Sequence, residues 1–450
     1  MSTTTAQPAI GFIGLDDQGL AMATAIAEAG SPESLSFAKE SAMSENPCHY
    51  DLESQVFKAN PHPTYRAMRR DAPLCPHTET NGSTFWLVTR YADAVTVSRG
   101  HQHFVKNYRN TLTADEHAQL PPEPPFSQML NSHMLNQDGA DHTRLRALVN
   151  KAFGVRNVNL LRDRVQAIAD GLLDQVQAQG QMDLMDAFAF QLPIIVIAEL
   201  LGIPVEDRNQ FRAFSNAFIS PAHSPEEARQ QEQLIVDFIA YLGELFVARR
   251  QTPREDLVTA LLQAEEAGEQ LSEEELYSMV ILLIVAGHET TVNLIGNGVL
   301  ALLQHPSQWN KLQTEPALLP AAVEELLRYD GPIDHSTQRY AAADVELNGQ
   351  QIRRGEMVVI SRTAINRDPA QFPAPDTLDF TRADNRHLGF GLGVHYCLGA
   401  PLARLEMEIA LSTLLRRLPT LRLAAPVETL RWRLVPLLHG LEKLPVVWDV

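Results

Sequence analysis

Cys397 stands between a glycine-rich loop and a strong helical pattern, an arrangement that suits metal ligation. The surrounding sequence reads HLGFGLGVHYCLGAP over residues 387–401. At a helix N-terminus, unpaired backbone N–H groups and the positive end of the helix dipole stabilise a thiolate. Glycines also let the backbone approach a flat macrocycle closely. The pattern therefore favours a thiolate that could ligate haem iron.

Two other interpretations of Cys397 stay open when its loop is considered alone. A buried cysteine in an intracellular protein is more often structural than functional. The thiol could also be a nucleophile paired with His395 or His387, although the loop offers no obvious acid to orient a histidine base.

A second unusual segment interrupts the apolar helix that is predicted over residues 272–304. Ser272 and Glu275 form a capping-box pattern at its start. The helix is apolar nearly all round and should be buried, yet its centre reads AGHETT over residues 286–291. A glycine costs about 1 kcal/mol in a helix interior and buried polar groups are expensive, so this segment indicates a function.

The residue types in this segment suit a flat ligand lying against the helix. Ala286 and Gly287 would let the ligand approach the backbone, Thr290 could hold water or dioxygen, and Glu289 could relay protons. The alternative is an ordinary kinked core helix, in which His288 is as readily a satisfied polar residue as a participant.

These motifs together resemble the cytochrome P-450 family. The cysteine loop matches Phe-x-x-Gly-x-x-x-Cys-x-Gly, and the helix matches Ala/Gly-Gly-x-Asp/Glu-Thr. Glu325 and Arg328, whose spacing alone suggests only a surface pair, match the family's Glu-x-x-Arg element and would form a buried network that supports the haem core. The resemblance covers about residues 48–450. It implies a mainly α fold with small β-sheets (α+β) and haem b between the long helix and the Cys397 loop.

The resemblance also implies roles for individual residues. Cys397 would be the thiolate ligand of the iron, and Thr290 and Glu289 would be the catalytic residues that deliver protons during dioxygen activation. Four residues match the family's contacts to the two haem propionates: His142, Arg146, Arg339 and His387. Other cofactor contacts are expected from Ala286, Gly287, Phe390, Gly391 and Gly399.

The reaction implied by the resemblance is insertion of one oxygen atom from O2 into a small lipophilic substrate. Electrons would come from a separate ferredoxin or flavodoxin and its NAD(P)H-dependent reductase, because the chain stops at Val450 without length for a reductase domain. The alternatives are a peroxide-using enzyme, against which the Glu289-Thr290 pair argues, and a haem-dependent sensor or carrier. Substrate contacts are expected, by resemblance, in residues 105–134 and 214–220 and at Ile284, Val285, Ile333 and Leu437.

Helices must position most of these residues. Apolar residues at three- and four-residue spacing predict helices over residues 156–178, 182–201, 226–250, 272–304 and 401–418. Short strands are predicted near residues 85–89 and 345–360, with turns at Asn348-Gly349 and Arg354-Gly355. Residues 48–450 are predicted to form a single domain.

Composition and charge restrict the function further. The formal net charge of -18 opposes binding to nucleic acid or anionic membranes. The longest apolar run is far below the roughly 20 residues of a membrane span, the N-terminus lacks the basic start of a secretory signal, and cysteine is scarce, so a cytoplasmic location is expected. Residues 1–47 are interpreted as a flexible or helical leader. The glycine pattern at residues 11–30 resembles a nicotinamide-dependent unit but carries Asp16 at its middle glycine position.

Overall fold

The structure is a computed structural model that describes residues 50–450, apart from residues 80–81, 153–157, 159, 205–206, 220–221, 223 and 265–269. The predicted leader at residues 1–47 and its glycine pattern lie outside the described residues. The helices, strands and site below are those of the described part of the chain.

Helices make up most of the described chain, as the three- and four-residue apolar spacing predicts. In chain order they are α1 (Gln55–Ala59), α2 (His62–Asp71), α3 (Tyr91–Arg99), α4 (Ala114–Gln119), α5 (Pro125–Asn131), α6 (Gly139–Ala152), α7 (Arg162–Val176), α8 (Gln191–Leu201), α9 (Arg208–Ile219), α10 (Pro225–Gln251), α11 (Leu257–Gln263), α12 (Glu273–Gln304), α13 (Pro306–Thr314), α14 (Leu319–Tyr329), α15 (Arg362–Ile365) and α16 (Ala400–Arg417).

The strands form three small sheets beside the helices. They are β1 (Leu74–Thr78), β2 (Thr84–Val88), β3 (Phe104–Val105), β4 (Gln181–Asp183), β5 (Arg339–Ala341), β6 (Val345–Leu347), β7 (Gln350–Ile352), β8 (Met357–Ile360), β9 (Arg422–Leu423) and β10 (Pro445–Val447). The largest sheet has the order β1-β2-β8-β5-β3, and the others are β4-β10-β9 and the β6-β7 hairpin. Only the β2–β8 pair is parallel within the largest sheet. The mainly helical fold with small sheets is therefore confirmed.

Helix α12 forms the core of the helical region. Its capping box is present, because the Ser272 side chain accepts from Glu275 N and the Glu275 side chain accepts from Ser272 N. The helix packs against α5, α8 and α16, and most of its residues are buried. Among the described helices it alone is long and apolar enough to cross a membrane, but 83% of the relevant window is buried inside the protein, as in a core helix.

The predicted elements agree with the structure where local sequence determines them. The Asn348-Gly349 turn closes the β6–β7 hairpin, and both residues have positive φ, at 51° and 75°. The helix predicted over residues 182–201 is wrong at its first two residues, and its first half is not a regular α-helix. That stretch instead begins in strand β4, which pairs with the distant β10, and continues through a π-helical turn at Met185–Ala189 before α8 starts.

Candidate active site

The Cys397 loop is held in a tight backbone path that requires glycine. Gly391 and Gly393 have φ of 75° and 81°, in the left-handed region that favours glycine. A Cβ atom on Gly393 would lie 2.6 Å from the carbonyl oxygen of Ser98. The Cys397 N–H donates to the Phe390 carbonyl at 2.9 Å, and helix α16 begins three residues after the cysteine. The loop therefore presents the thiol at a helix N-terminus, as predicted.

The environment of the Cys397 thiol favours metal ligation over nucleophilic chemistry. Burial raises the pKa of the thiol, while the backbone N–H groups of Gly399 and Ala400 and the cations Arg362 and Arg146 act in the opposite direction. A nucleophile needs a lowered pKa or an adjacent base. No hydrogen bond joins a histidine to this thiol in the described chain. Coordination to a metal, by contrast, deprotonates a thiol outright.

A cavity lies between the Cys397 loop and helix α12. Phe390, Cys397 and Gly399 line it on the loop side. Ala286, Gly287 and Thr290 line it on the helix side, where Ala286 is exposed into the cavity. A Cβ atom on Gly287 would meet Ile197 at 3.1 Å, so the absent side chain also allows α8 to pack closely. The two predicted motifs thus face the same space.

The acid and the alcohol of the helix motif have different environments. Thr290 Oγ1 donates to the Ala286 carbonyl at 3.0 Å. Glu289 is buried, and its Oε2 accepts from Arg433 Nη1 at 2.5 Å, while its Oε1 lies 3.4 Å from His288 Nε2. Burial raises the pKa of the Glu289 carboxyl, but Arg433 and His288 outweigh burial and lower the pKa to about 2. Sequence reasoning did not find Arg433.

A cluster of cationic and imidazole side chains borders one side of the cavity. His142 and Arg146 line the cavity together with His395, whose ring centroid lies 4.3 Å from that of His142. Arg339 lines an adjoining small cavity with His395. Burial lowers the pKa of His395 to about 2, and Lys106, His142, Arg339 and Arg146 contribute in the same direction. Three of the four predicted propionate contacts, His142, Arg146 and Arg339, therefore meet around His395.

His387, the fourth predicted propionate contact, lies outside this cluster. Its Nε2 is 3.1 Å from Glu324 Oε2, and its Nδ1 accepts from Gly389 N at 3.1 Å. Both ring nitrogens are therefore engaged elsewhere, and Glu324 also binds Arg404. The structure places His387 outside the cluster, whereas His395, which lies two residues before the cysteine, is part of it.

The residues around the cavity fit a haem. The thiol of Cys397 could supply a sulfur ligand to the haem iron, and the glycines of its loop and of α12 would allow close approach of a flat ring. No ion pair joins Arg146 or Arg339 to a carboxylate of the described residues. His142 Nε2 is buried and lacks a hydrogen-bond partner in that part of the chain. Arg339 is buried and Arg146 is half-buried, and such cations without acidic partners suit the two carboxylates of a haem.

Comparison with known proteins decides the family. A family model described as Cytochrome P450 matches residues 77–422. The chain belongs to the cytochrome P450 family. It is 45% identical over 395 residues to a cytochrome P450 of Bacillus subtilis (strain 168), with 88% of this chain and 96% of that relative covered. Cytochrome P450 107B1 of Saccharopolyspora erythraea is 46% identical, with 87% and 96% covered.

Solved structures of bacterial P450s share this fold. The cytochrome P450 PksS of the Bacillus subtilis 168 bacillaene polyketide synthase has a TM-score of 0.82 and 40% identity, covering 89% of this chain and 100% of that one. Myxobacterial CYP267B1 in complex with myristic acid has a TM-score of 0.82 and 43% identity, with 89% and 99% covered. The protein is thus a P450 monooxygenase that binds haem b through a cysteine thiolate and uses O2 and a small organic substrate.

The Glu325–Arg328 pair of this P450 is buried and joins several segments. Arg328 Nε and Nη2 donate to the two carboxylate oxygens of Glu325 at 2.7 and 2.8 Å. Arg328 also donates to the carbonyls of Asn366, Pro375 and Thr377. The pair therefore ties α14 to the segment that leads into the cysteine loop.

The part of the P450 cavity beyond the cysteine loop is mostly apolar. Four of the expected substrate contacts line it: Met134, Val285, Ile333 and Leu437. Ile284 and Phe214 do not line it, although both were expected to contact substrate. Ile284 points from α12 into the core, and Phe214 stacks on Phe238 with ring centroids 3.6 Å apart.

Proposed function

We propose that this P450 inserts one oxygen atom from O2 into a lipophilic organic substrate, by hydroxylation or epoxidation, with electrons from a separate redox partner. The observation that carries the proposal is that Cys397, Thr290 and Glu289 line one cavity whose remaining walls are largely apolar. When bound, the haem supplies the chemistry that activates dioxygen.

The haem would be held on both faces and at its propionate edge. Cys397 would ligate the iron, and Phe390, Gly391 and Gly399 would lie on the same side of the ring. Ala286 and Gly287 would lie on the opposite side. His142, Arg146 and Arg339 would bind the propionates, together with His395 in place of His387.

Thr290 and Glu289 would bind water and transfer protons on the α12 side of the cavity. The Thr290 hydroxyl donates to the Ala286 carbonyl, so its oxygen is left to accept a hydrogen bond from water in the cavity. Glu289 lines the same cavity as a carboxylate paired with Arg433. To pass a proton, the Glu289 carboxylate must give up a hydrogen bond from Arg433 and form one with water instead.

The substrate would be a polyketide, terpenoid, fatty acid or steroid. Apolar side chains such as Leu294, Leu437 and Leu438 bind such molecules through burial of apolar surface. Two relatives are named after the organic molecule that they oxidise. They are a vitamin D(3) 25-hydroxylase of Pseudonocardia autotrophica, 43% identical, and a mycinamicin IV hydroxylase/epoxidase of Micromonospora griseorubida, 44% identical.

The electron donor would be a ferredoxin or a flavodoxin, reduced by an NAD(P)H-dependent reductase in the cytoplasm. The described residues hold no cluster of three or more His, Cys, Asp or Glu side chains that could bind a metal ion, so they supply no second redox centre of that kind. Substrate oxidation should therefore require a ferredoxin system and should fail with NADPH alone. Equal turnover with peroxide and no donor would favour the peroxide-using alternative.

The haem-thiolate assignment is tested by Cys397→Ser. A thiolate-ligated haem gives a red-shifted absorption band when the ferrous protein binds CO. The purified wild-type protein should show this band, and the variant should lose it. Circular dichroism spectra of both proteins check that the variant is still folded. A normal thiolate spectrum in Cys397→Ser would overturn the assignment.

A further inference from the structure

Arg362 is a half-buried cation beside the cysteine loop, and none of the sequence motifs includes it. It follows strand β8 and begins α15, and its Nη1 donates to the carbonyl of Gly389 at 2.6 Å. A Cβ atom on Gly391 would lie 3.4 Å from Arg362 Nη2. The guanidinium therefore lies against the loop that carries Cys397.

The position of Arg362 in the sheet brings it close to Arg339. Strands β5 and β8 are antiparallel neighbours, with Arg339 opposite Val358. The pairing continues beyond both strands, because Ser336 N donates to the Ile360 carbonyl at 2.8 Å. The start of β5 and the end of β8 thus meet at one end of the sheet. Arg362 and Arg339 line the same small cavity with His395, and Arg362 also lines the main cavity with Cys397.

Both guanidiniums lie there without an acidic partner. No ion pair joins Arg362 or Arg339 to a carboxylate anywhere in the part of the chain that the structure describes. Burial and the charge of Arg362 together lower the pKa of Arg339 to about 10, although Asp138 acts in the opposite direction. The nearby carboxylate of Asp138 is already occupied by the backbone N–H groups of Lys106 and Asn107. Two like charges held close together in a cavity repel each other, and an anionic ligand would offset this repulsion.

We propose that Arg362 and Arg339 together bind one propionate carboxylate of the haem, while His142, Arg146 and His395 serve the other. This inference rests on the proposed haem site. A paired carboxylate would offset the mutual repulsion of the two arginines, and charge-assisted bonds from two guanidiniums would hold it in a fixed direction. Arg362 is thus a cofactor-binding residue, in addition to bracing the carbonyl of Gly389.

The competing role for Arg362 is that of a brace for the cysteine loop alone. Haem b and its dimethyl ester separate the two roles, because the ester has the same ring and iron but no carboxylate charge. Arg362→Gln keeps an N–H donor for the Gly389 carbonyl and removes the cation. Arg404→Gln is the matched control, since Arg404 stacks over Phe390 beside the same loop but binds Glu324 and does not line the cavity.

The measurement is the rate of haem transfer from the ferric holoenzyme to excess apomyoglobin. With haem b, Arg362→Gln should release haem at least about ten-fold faster than wild type, the effect of losing one charge-assisted hydrogen bond. With the dimethyl ester, the two proteins should agree within about two-fold. Arg404→Gln should change both rates by one common factor. An equal acceleration of both haems by Arg362→Gln would overturn the proposal.

A second readout uses haem b only. The propionate-bending band of the resonance Raman spectrum responds to hydrogen bonds at the haem carboxylates, and Arg362→Gln should shift it whereas Arg404→Gln should not. An unshifted band in Arg362→Gln would also overturn the proposal. The CO band of the variant reports the haem-thiolate assignment separately: its presence shows that Cys397 still ligates the iron, so failure of the Arg362 proposal is distinct from failure of the haem site.

Discussion

The guanidinium of Arg433 lies 2.5 Å from the buried carboxylate of Glu289, across 144 residues of the chain. The same C-terminal segment contributes Leu437 and Leu438 to the cavity wall. One C-terminal segment therefore both pairs with Glu289 of the α12 motif and forms part of the apolar cavity wall. A substrate that displaces Leu437 acts on the segment that also carries Arg433.

Arg433→Met should change the pH dependence of both stability and turnover. Without Arg433, burial acts on Glu289 with only His288 opposing it, so the pKa of the carboxyl rises from about 2 and the inflection that this group contributes to kcat moves to higher pH than in wild type. Because the pKa is lowered in the folded protein, the pair stabilises the fold above the ordinary value of 4.5, and this stability is lost as the pH falls through about 2.

The matched control is Arg431→Met on the same segment, since Arg431 is largely exposed and lies 3.9 Å from Glu442. At pH 7, Arg433→Met should cost about 2 kcal/mol of unfolding free energy, and the cost should shrink below pH 4. Chemical denaturation at pH 7 and pH 3.5 measures this difference. A pH-independent cost equal to that of Arg431→Met would contradict the pairing.

Thr290→Ala should keep haem and substrate binding but divert electrons to hydrogen peroxide. The hydroxyl is the polar group that Thr290 offers to water in the cavity, and positioned proton transfer contributes about 10²-fold or more to a reaction. We expect product formed per NAD(P)H consumed to fall at least about ten-fold. Thr290→Ser retains the hydroxyl and should retain most of the coupling; a fully coupled Thr290→Ala enzyme would exclude the role.

Glu325→Ala should prevent stable haem incorporation by leaving Arg328 buried without its carboxylate. Breaking a buried ion pair on one side costs about 3–5 kcal/mol. The exposed Glu226–Arg229 pair has the same three-residue spacing, so Glu226→Ala is the control and should leave the melting temperature unchanged. Haem content per protein and thermal unfolding measure both variants, and equal effects would show that burial of the Glu325 pair is unimportant.

Local signals account for what the sequence predicted well. Ser272 and Glu275 cap a helix through contacts three residues apart, and Asn348 and Gly349 adopt positive φ by themselves. The failures involve long-range contacts. The start of the helix predicted over residues 182–201 forms β4, because its partner β10 lies more than 250 residues later.

The site shows the same limit. His387 and His395 belong to one loop, and their spacing alone does not tell which ring turns toward the cavity. His387 turns away because it contacts Glu324, which lies on the distant helix α14. Arg433 and Arg362 reach the site from segments that carry no recognisable motif. Their charges matter only because the fold places them beside Glu289 and the cysteine loop, and no pattern in their own neighbourhoods indicates this.

Glu406→Gln should stabilise the protein selectively at high pH. Glu406 is buried on α16, and burial raises the pKa of its carboxyl to about 8, although a hydrogen bond from Thr291 on α12 opposes the rise. A folded-state pKa above the ordinary 4.5 means that the folded protein binds the extra proton, so stability falls as the pH rises from about 4.5 to about 8.

Glutamine mimics the protonated acid and cannot ionise, so the variant should match wild type near pH 5 and exceed it above pH 8, by up to about 4 kcal/mol of unfolding free energy. Melting temperatures measured from pH 5 to pH 9 for both proteins test this. Parallel curves would mean that Glu406 is already ionised in the folded protein at pH 5, with a cation or water compensating its charge beside Thr291.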